Sequence, residues 1–211
     1  MTEIPAEKAD FSLPDTIVLA SANPHKVTEL REILSGIGVK LKSTSDFPGL
    51  RDVIEDAETL HGNALKKAAY LYETTGLPAL ADDTGLEVDH LNGAPGVYSA
   101  RYAGERATYE DNVNKLLREL GSTDNRSARF RTVIAFKNDS GTFFFNGVCE
   151  GRITKTPIGD NGFGYDPVFM PEGYNLTFAE LMSEIKNNIS HRGRAVKKFI
   201  RFLEEMRKKE A

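Results

Sequence analysis

Two adjacent carboxylates, Asp82 and Asp83, follow a short apolar run in the stretch "LPALADDTGLEV". Mg²⁺ prefers oxygen ligands and is usually held by one or two carboxylates together with water and phosphate oxygens. The pair could therefore hold a metal ion, with help from the acidic stretch "EDAE" at 55–58. Aspartate is also common in turns, so the two residues could instead end a strand and solvate a turn. The spacing alone leaves both interpretations open.

A second polar stretch, "SANPHK" at 21–26, lies between a predicted strand and a predicted helix. Backbone amides in such a loop, the positive end of the helix and the ammonium of Lys26 would all attract an anion such as phosphate. The glycine spacing of a Walker A loop is missing. Because Asn-Pro is a common turn pair, the stretch by itself is equally compatible with an ordinary surface turn.

A glycine-rich stretch, "GDNGFGYDP" at 159–167, could bind a flat ring. Glycines let a backbone approach a ligand closely, Phe163 and Tyr165 offer aromatic faces, and Asp166 offers an acceptor. The glycine spacing does not match the dinucleotide-binding pattern. The alternative is a flexible surface loop that carries a core aromatic residue.

A basic stretch, "KNNISHRGR" at 186–194, lies at or before the start of a predicted helix. Arginine and histidine there could read the edge of a base or neutralise phosphate. A solvated basic helix start is the alternative, but cations at that end oppose the helix dipole slightly. That conflict favours a functional reason for the charge.

Alternating strand-like and helix-like segments must position these four stretches. The apolar pattern predicts the following elements: strands at 16–21, 39–44 and 78–82, helices after Lys26, from Asn63 and from Thr108, a hairpin of 129–138 with 141–153, and a C-terminal helix capped by Ser190. Strand-helix units begin the chain and a hairpin follows later. The order therefore predicts an α/β class with a mixed sheet.

The composition restricts the class of protein. The 211 residues are 40% hydrophobic and 27% charged with a net charge of −4, which is typical of a soluble globular chain and argues against a nucleic-acid polymer as partner. The one cysteine, Cys149, excludes an intramolecular disulfide and a metal site of cysteine pairs, and fits the reducing cytoplasm. We found neither a signal-peptide core nor an apolar run long enough for a membrane span. We expect residues 1–15 to form a flexible extension and residues 16–211 to form a single domain.

Six segments in order resemble the inosine/xanthosine triphosphate pyrophosphatases, enzymes that remove non-standard purine nucleoside triphosphates. The segments are "SANPHK", "NALKKA", "LADDTGLEVDHLNGAPGVYSARYAG", "GFGYDPVF", "TFAEL" and "ISHRGRA". The resemblance implies an elongated central mixed sheet that forks into two lobes around a nucleotide-binding cleft and is flanked by helices. It also implies a homodimer and Mg²⁺-dependent hydrolysis of ITP, dITP or XTP to the monophosphate and pyrophosphate.

The resemblance also assigns roles to residues by position. The phosphate-binding loop falls on Ser21, Ala22, Asn23, Pro24, His25 and Lys26. The metal ligands fall on Glu55 and Asp83, and Asp83 is also the proton acceptor. Lys67 would reach the phosphates and Thr84 would contact the substrate. The base-binding loop falls on Phe163, Gly164, Tyr165 and Asp166, and the remaining substrate contacts are Lys186, His191 and Arg192.

The chain departs from the family pattern at three places. Many relatives have glutamate where this chain has Gly62, and an acidic residue where it has Ile185, which would leave Lys186 without that neighbouring charge. The acidic stretch is variable, so Asp56 or Glu58 could replace Glu55 as metal ligand.

Two points of chemistry stay open at this stage. A metal-bound carboxylate is a poorer base than a free one, so Asp82 could share the proton-acceptor role if it faces the water. For selectivity, Arg192 could donate to O6 of a 6-oxo purine while Asp166 accepts from N1–H.

The alternative functions are a triphosphatase for pyrimidine or modified nucleotides, and a nucleotide-binding regulatory module without turnover.

Overall fold

The structure is a computed structural model that describes residues 14–210; the predicted extension therefore lies mostly outside the described residues. The strands are β1 (Thr16–Leu19), β2 (Lys40–Ser43), β3 (Ala79–Val88), β4 (Pro95–Gly96), β5 (Ser127–Asn138), β6 (Gly141–Ile153) and β7 (Phe169–Pro171). The helices are α1 (Pro24–Leu34), α2 (Leu60–Thr75), α3 (Tyr109–Leu120), α4 (Ser183–Ile189) and α5 (His191–Glu210). Within this range no helix combines the length and the apolarity that crossing a lipid bilayer requires.

All the strands belong to one mixed sheet. Its seven strands run in the order β2-β1-β3-β5-β6-β7, with β4 paired to β3. β1 pairs in parallel with β2 and β3, whereas β3, β5, β6 and β7 pair antiparallel in succession. The predicted α/β class with a mixed central sheet is confirmed, and so is the hairpin of β5 and β6.

Alternating side chains of β1 build two cores on opposite faces of the sheet. Ile17 and Leu19 pack in the first core, against apolar residues of α1 and α5. Val18 and Ala20 pack in the second core, against apolar residues of α2. This is the result expected of a buried strand, because successive side chains point to opposite faces.

A third core lies at the far end of the two long strands. Leu86 and Val88 of β3 and Phe130 of β5 pack there with Leu116 of α3 and Phe178. Since β3 and β5 pass through more than one core, they form a continuous floor under two parts of the molecule. The predicted two-lobed arrangement rests on this floor.

Several element boundaries differ from the sequence prediction, and two of the differences bear on the candidate site residues. The expectation that a strand ends at Asp82 is wrong: β3 continues to Val88, because it pairs with β5 along its whole length, from Ala79 to Val88. The interpretation of the two aspartates as a turn is therefore wrong as well. Helix α1 begins at Pro24 instead of after Lys26, since the side chain of Asn23 caps it and proline is tolerated in the first turn.

Two predicted helix caps are confirmed. The hydroxyl of Thr108 accepts a hydrogen bond from the amide of Asp111 at 3.1 Å at the start of α3. The hydroxyl of Ser190 accepts one from the amide of Gly193 at 3.1 Å at the start of α5.

Candidate active site

A cleft of about 720 Å³ lies between residues of the second and third cores. The loop before α1, the acidic loop before α2, the middle of β3, the segment after β6, and helices α4 and α5 all contribute to its wall. Of the site residues predicted from the sequence, all but Pro24 and His25 line the cleft. The fold thus brings together residues that lie far apart in the chain, from Ser21 to Arg192.

The two adjacent aspartates point to opposite faces of β3. Asp83 lies on the face of Ala81, toward α2, where its carboxylate accepts hydrogen bonds from Asn63 and Lys67. Asp82 lies on the face of Leu80, toward α5, where it accepts hydrogen bonds from Arg192. Asp83 lines the cleft and Asp82 does not. The alternation along a strand therefore separates the tasks of two neighbouring carboxylates.

Asp83, Lys67 and Glu55 form a charged cluster on the α2 side. The ammonium of Lys67 donates to Asp83 Oδ1 at 3.0 Å, to Glu55 Oε1 at 2.9 Å and to the main-chain oxygen of Asp82 at 2.7 Å. Burial opposes the charge of Lys67, but Asp83 and Glu55 outweigh it and raise the pKa of the ammonium. Burial raises the pKa of Asp83, although Lys67 and Lys26 favour its charged form.

The donor set of this cluster fits a hard cation. Glu55 and Asp83 supply carboxylate oxygens, and Mg²⁺ typically takes only one or two carboxylates from the protein, with phosphate and water oxygens as further ligands. Between residues 14 and 210 no group of three or more His, Cys, Asp or Glu side chains could hold a metal ion. The structure places Glu55 next to Asp83, whereas Asp56 pairs with Lys66 on the surface and Glu58 is exposed.

Gly62, where the resemblance predicts glutamate, lies at the start of α2. Its amide donates to the hydroxyl of Thr59, which caps the helix, at 3.1 Å. A side chain at this position would begin 2.7 Å from the Cβ of Ala57 and 3.3 Å from the Thr59 hydroxyl. The departure therefore affects the packing and capping of the helix start, because a glutamate there could complete a capping box with Thr59.

Asp82 is a buried anchor for two cations. It is 2% exposed, and its Oδ2 accepts from Arg192 at 3.1 Å and lies 3.2 Å from the ammonium of Lys26. Burial opposes its ionisation, but Lys26 and Arg192 outweigh it and hold the pKa of Asp82 well below its usual range. Asp82 is therefore a poorer candidate than Asp83 for the proton acceptor, because it is buried, does not line the cleft and is paired with two cations.

Lys186 has two acidic partners despite Ile185. Its ammonium donates to Glu29 Oε1 and to Asp166 Oδ2, both at 2.6 Å. Burial opposes the charge of Lys186, but Asp166 and Glu29 raise its pKa. The charge that is missing at position 185 is therefore supplied from elsewhere, since α1 contributes a carboxylate across the fold.

Glu29 also holds the second cation of the basic stretch. Its Oε2 accepts from Arg192 Nη1 at 2.5 Å. Burial opposes the charge of Glu29, but Arg192 and Lys186 lower its pKa. The guanidinium of Arg192 is thus held between Glu29 and Asp82, and these carboxylates outweigh burial and raise its pKa. The basic helix start is buried and paired, and the solvated alternative is wrong.

Phe163 presents the aromatic face that the sequence predicted. The ammonium of Lys186 lies 5.1 Å from the centre of its ring, and the ring of His25 stacks on it at 5.3 Å with 15° between the planes. Tyr165 behaves differently: it is 5% exposed, packs in the third core and donates its hydroxyl proton to the main-chain oxygen of Ser99. Phe163 is therefore the aromatic residue of this loop whose ring contacts charged residues of the cleft.

Asp166 fixes the conformation of the loop that carries Phe163. Its Oδ2 accepts from the amide of Phe163 at 2.8 Å as well as from Lys186. The carboxylate is 4% exposed and lines the cleft. The contacts fix the loop that carries Phe163 against α4.

His191 is a buried, uncharged side chain at the start of α5. Its ring stacks on Phe130, with the ring centres 4.4 Å apart. Burial lowers the pKa of His191 well below its usual value, and the nearby Arg192 and Lys186 act in the same direction. Its Nδ1 has no hydrogen-bond partner among the described residues. His191 can therefore donate or accept a hydrogen bond in the cleft as a neutral imidazole.

The loop before α1 uses part of its own hydrogen-bonding capacity. The Ser21 hydroxyl accepts from the amide of Asn23 at 3.2 Å, and Asn23 Oδ1 accepts from the amide of His25 at 3.0 Å. The anion-binding capacity that remains comes from Lys26 and from the positive end of α1.

Several site residues were missed by the sequence reasoning. Glu29, Asn63 and Tyr109 hold or line the cleft: Tyr109 accepts a hydrogen bond from Asn23 Nδ2 at 2.9 Å. Asn63 begins the "NALKKA" segment, and Glu29 lies one helical turn after Lys26, so position was the available signal. Tyr109 gave no signal of its own, because only the fold brings it across the cleft.

The chain was compared with known proteins. The model of the Ham1 family matches residues 17–202. A curated relative named dITP/XTP pyrophosphatase from Flavobacterium johnsoniae is 49% identical over 187 residues, which cover 89% of this chain and 97% of the relative. One of the same name from Porphyromonas gingivalis is 50% identical over 190 residues, covering 90% and 97%.

A solved structure gives the same result for the fold. The structure of a HAM1 protein from Coxiella burnetii has a TM-score of 0.83 with 42% sequence identity, covering 90% of this chain and 98% of that one. Residues 17–202, which the family model matches, include every residue that lines the cleft. The chain therefore belongs to the Ham1 family.

Proposed function

We propose that this chain binds a non-standard purine nucleoside triphosphate, such as ITP, dITP or XTP, in the cleft and hydrolyses it to the monophosphate and pyrophosphate. The observation that carries the proposal is that Asp83, Glu55 and Lys67 line the same cleft as Lys26 and the Phe163 loop. Lys26 and Lys67 suit phosphates, and the Phe163 loop suits a base. The chain is a nucleoside triphosphate pyrophosphatase.

Glu55 and Asp83 would hold Mg²⁺. When bound, the cation would neutralise charge on the triphosphate and on the departing pyrophosphate. Lys67 already lies between the two carboxylates, and its raised pKa keeps it charged. Lys67 and Lys26 would therefore bind phosphate oxygens and stabilise the charge that develops during the attack on the α-phosphorus.

Asp83 is the residue we assign as acceptor of the proton from the attacking water. Its carboxylate lines the cleft in which the triphosphate would bind. Asn63 and Lys67 fix its orientation through one hydrogen bond to each oxygen. Thr84, the next residue in β3, also lines the cleft and would contact the substrate.

The selectivity for a 6-oxo purine would come from Arg192 and Asp166. The guanidinium would donate to O6, and the carboxylate would accept from N1–H. Adenine presents the opposite pattern and would leave both groups unpaired, at a cost of about 1 to 3 kcal/mol each. The pairing of Arg192 with Glu29 and Asp82 supports this assignment, since it holds the guanidinium charged and in one orientation.

The assembly and the location belong to the same proposal. We expect a homodimer in the cytoplasm, in line with the resemblance of the motifs and with the single, buried Cys149. Light scattering of the purified chain measures the first point, because a monomeric mass would reject it.

A pyrophosphate-release assay tests the substrate class. The purified chain is incubated with Mg²⁺ and, separately, with inosine, xanthosine, guanosine, adenosine and pyrimidine triphosphates. We expect inosine and xanthosine triphosphates to be hydrolysed fastest. Equal rates on all substrates would reject the proposed recognition of a 6-oxo purine. A preference for a pyrimidine nucleotide would favour the alternative triphosphatase.

The variant Asp83→Asn tests the mechanism. We expect kcat with inosine triphosphate to fall by about 10²- to 10⁴-fold or more, as for the loss of a positioned base, while nucleotide binding largely survives. Asp56→Asn, which removes a charge from an exposed pair with Lys66, is the matched control and keeps its turnover. Unchanged turnover in Asp83→Asn would contradict the assignment, and no turnover in the wild type with tight nucleotide binding would favour a regulatory module.

A further inference from the structure

The loop that carries Glu55 has no regular secondary structure of its own. Residues 51–57 belong to no helix or strand, and Ile54 in its middle is 77% exposed. A loop of this kind orders a side chain only where other parts of the protein hold its backbone. The position of Glu55 therefore depends on contacts from outside the loop.

Besides a hydrogen bond from the amide of Arg51 to the Tyr70 hydroxyl at 2.9 Å and the surface pair of Asp56 with Lys66, three contacts hold this loop near Asp83. Asn63 Oδ1 accepts from the amide of Ala57 at 2.9 Å, and Lys67 donates to the carboxylate of Glu55 at 2.9 Å. The third contact comes from far along the chain: Arg101 Nη2 donates to the main-chain oxygen of Glu55 at 2.8 Å. The first two originate from α2, which follows directly on the loop, whereas Arg101 approaches from the segment after β4.

The turn that carries Arg101 is itself rigidly fixed. The hydroxyl of Ser99 accepts from the amide of Leu86 in β3 at 2.8 Å, and its main-chain oxygen accepts from the hydroxyl of Tyr165 at 2.9 Å. The side chain of the buried Asn112 donates to the main-chain oxygen of Ala100 at 3.1 Å. Arg101 therefore extends from a fixed point at the end of β3 to the oxygen of Glu55.

The other contacts of Arg101 lie on the surface. Its guanidinium lies 3.7 Å from the carboxylate of Glu105, which is 86% exposed, and 5.2 Å from the ring of Tyr98, which is 57% exposed. Exposed ion pairs contribute little to stability. The hydrogen bond to Glu55 is the part-buried contact of this side chain and the one that reaches the cleft.

We propose that Arg101 is a positioning residue that clamps the backbone of Glu55 and so keeps the Glu55 carboxylate beside Asp83 for the metal ion. The inference rests on the proposed function in one respect, the role of Glu55 as metal ligand. The "YSARYAG" segment thereby acquires a task at the site, although Arg101 need not touch the substrate. Outer residues that orient a ligand typically contribute 10- to 100-fold to metal affinity.

The test compares Arg101→Ala with Arg106→Ala, which removes the same charge from an exposed neighbour in the same segment. Hydrogen–deuterium exchange of the metal-free, nucleotide-free protein reports on the amides of residues 51–57. Electron paramagnetic resonance reports the affinity for Mn²⁺ in the presence of a non-hydrolysable inosine triphosphate analogue. We expect Arg101→Ala alone to exchange faster in this loop and to bind Mn²⁺ about ten-fold more weakly.

Two results would overturn the proposal: unchanged exchange in residues 51–57 of Arg101→Ala, or faster exchange with unchanged Mn²⁺ affinity. If Arg101→Ala does not fold, Arg101→Gln, which keeps most of the stem and an amide donor, is measured in the same two ways. Glu55→Gln separates the proposal from its premise. If its Mn²⁺ affinity is unchanged, Glu55 is not a metal ligand and the positioning role fails with it; if its affinity falls and that of Arg101→Ala does not, only the clamp is rejected.

Discussion

Two neighbouring aspartates acquire different properties from their surroundings. Asp82 faces Lys26 and Arg192 and has a strongly lowered pKa, whereas Asp83 faces Lys67 and has a pKa raised by burial. The sequence predicted that this pair matters, but it could not divide the tasks, because the partners of Asp82 come from α5 and from the first turn of α1. The assignment of Asp83 as metal ligand and proton acceptor stays a prediction.

Replacement of Asp82 by asparagine tests its role as an anchor. The change leaves the buried guanidinium of Arg192 and the ammonium of Lys26 without their shared carboxylate. We expect the free energy of unfolding to fall by about 3 kcal/mol, because breaking a buried ion pair leaves a charge uncompensated. Urea unfolding at pH 7 measures it, and an effect as small as that of the surface control Asp56→Asn would show that Asp82 anchors nothing.

His191 should make the stability of the protein depend on pH. Its pKa is lowered in the folded chain, so below about pH 6.5 the unfolded chain binds a proton that the folded chain does not. The stability from this residue is therefore present above the unfolded pKa and is lost as the pH falls below it, by about 1 kcal/mol between pH 7.5 and 5.5.

The variant His191→Gln isolates this contribution. Urea unfolding at the two pH values should show a smaller loss of stability toward pH 5.5 in His191→Gln than in the wild type. His90→Gln, at an exposed histidine, serves as the control. An identical pH dependence in His191→Gln and in the wild type would mean that the buried ring is protonated in the folded chain.

For the helices and strands, the sequence predicted the type of an element better than the residues at which it begins and ends. Local patterns were sufficient for the caps Thr108 and Ser190 and for the hairpin of β5 and β6, because these depend on near neighbours. The length of β3 was not predictable locally, since a polar pair in a strand is tolerated only where cations from α2 and α5 compensate it. The position of α4, which carries Lys186, was missed for a similar reason: its apolar residues contact distant parts of the chain.

The approach of α5 to β6 depends on Gly147. A Cβ there would lie 1.9 Å from the main-chain oxygen of His191 and 2.7 Å from the amide of Ala195, so the start of the helix must move. We expect Gly147→Ala to lower the free energy of unfolding by about 1 to 3 kcal/mol and to reduce turnover, because Arg192 moves with the helix. Thermal unfolding and pyrophosphate release measure both effects.

Gly36→Ala is the matched control for this prediction, since nothing lies within 4 Å of a Cβ at that position. It should leave stability and turnover close to those of the wild type. Full activity in Gly147→Ala would show that α5 adapts without displacing the cleft residues.

At the scale of the whole molecule, the cleft is joined by contacts between distant segments. Glu29 of α1 reaches Lys186 and Arg192, and Asn23 reaches Tyr109. The order of the motifs was sufficient to identify the family, which the comparisons confirm, because each motif is local. These contacts across the cleft could not be predicted, because no fixed sequence spacing relates a buried polar side chain to its partner.

The division of the chain into an extension and one domain stays a prediction that truncation can test. A chain that begins at Pro14, preceded by a methionine, contains every described residue of the cleft. We expect its unfolding temperature and its kcat/KM for inosine triphosphate to equal those of the full chain. A marked loss of either value would assign residues 1–13 a part in the fold or in the site.

In the proposed reaction, water attacks the α-phosphorus of a purine triphosphate bound in this cleft. Hydrolysis of inosine triphosphate in ¹⁸O-labelled water with Mg²⁺, followed by mass spectrometry of both products, tests it most directly. Attack at the α-phosphorus leaves one labelled oxygen in inosine monophosphate and none in pyrophosphate. Label in the pyrophosphate, or release of orthophosphate instead of pyrophosphate, would contradict it.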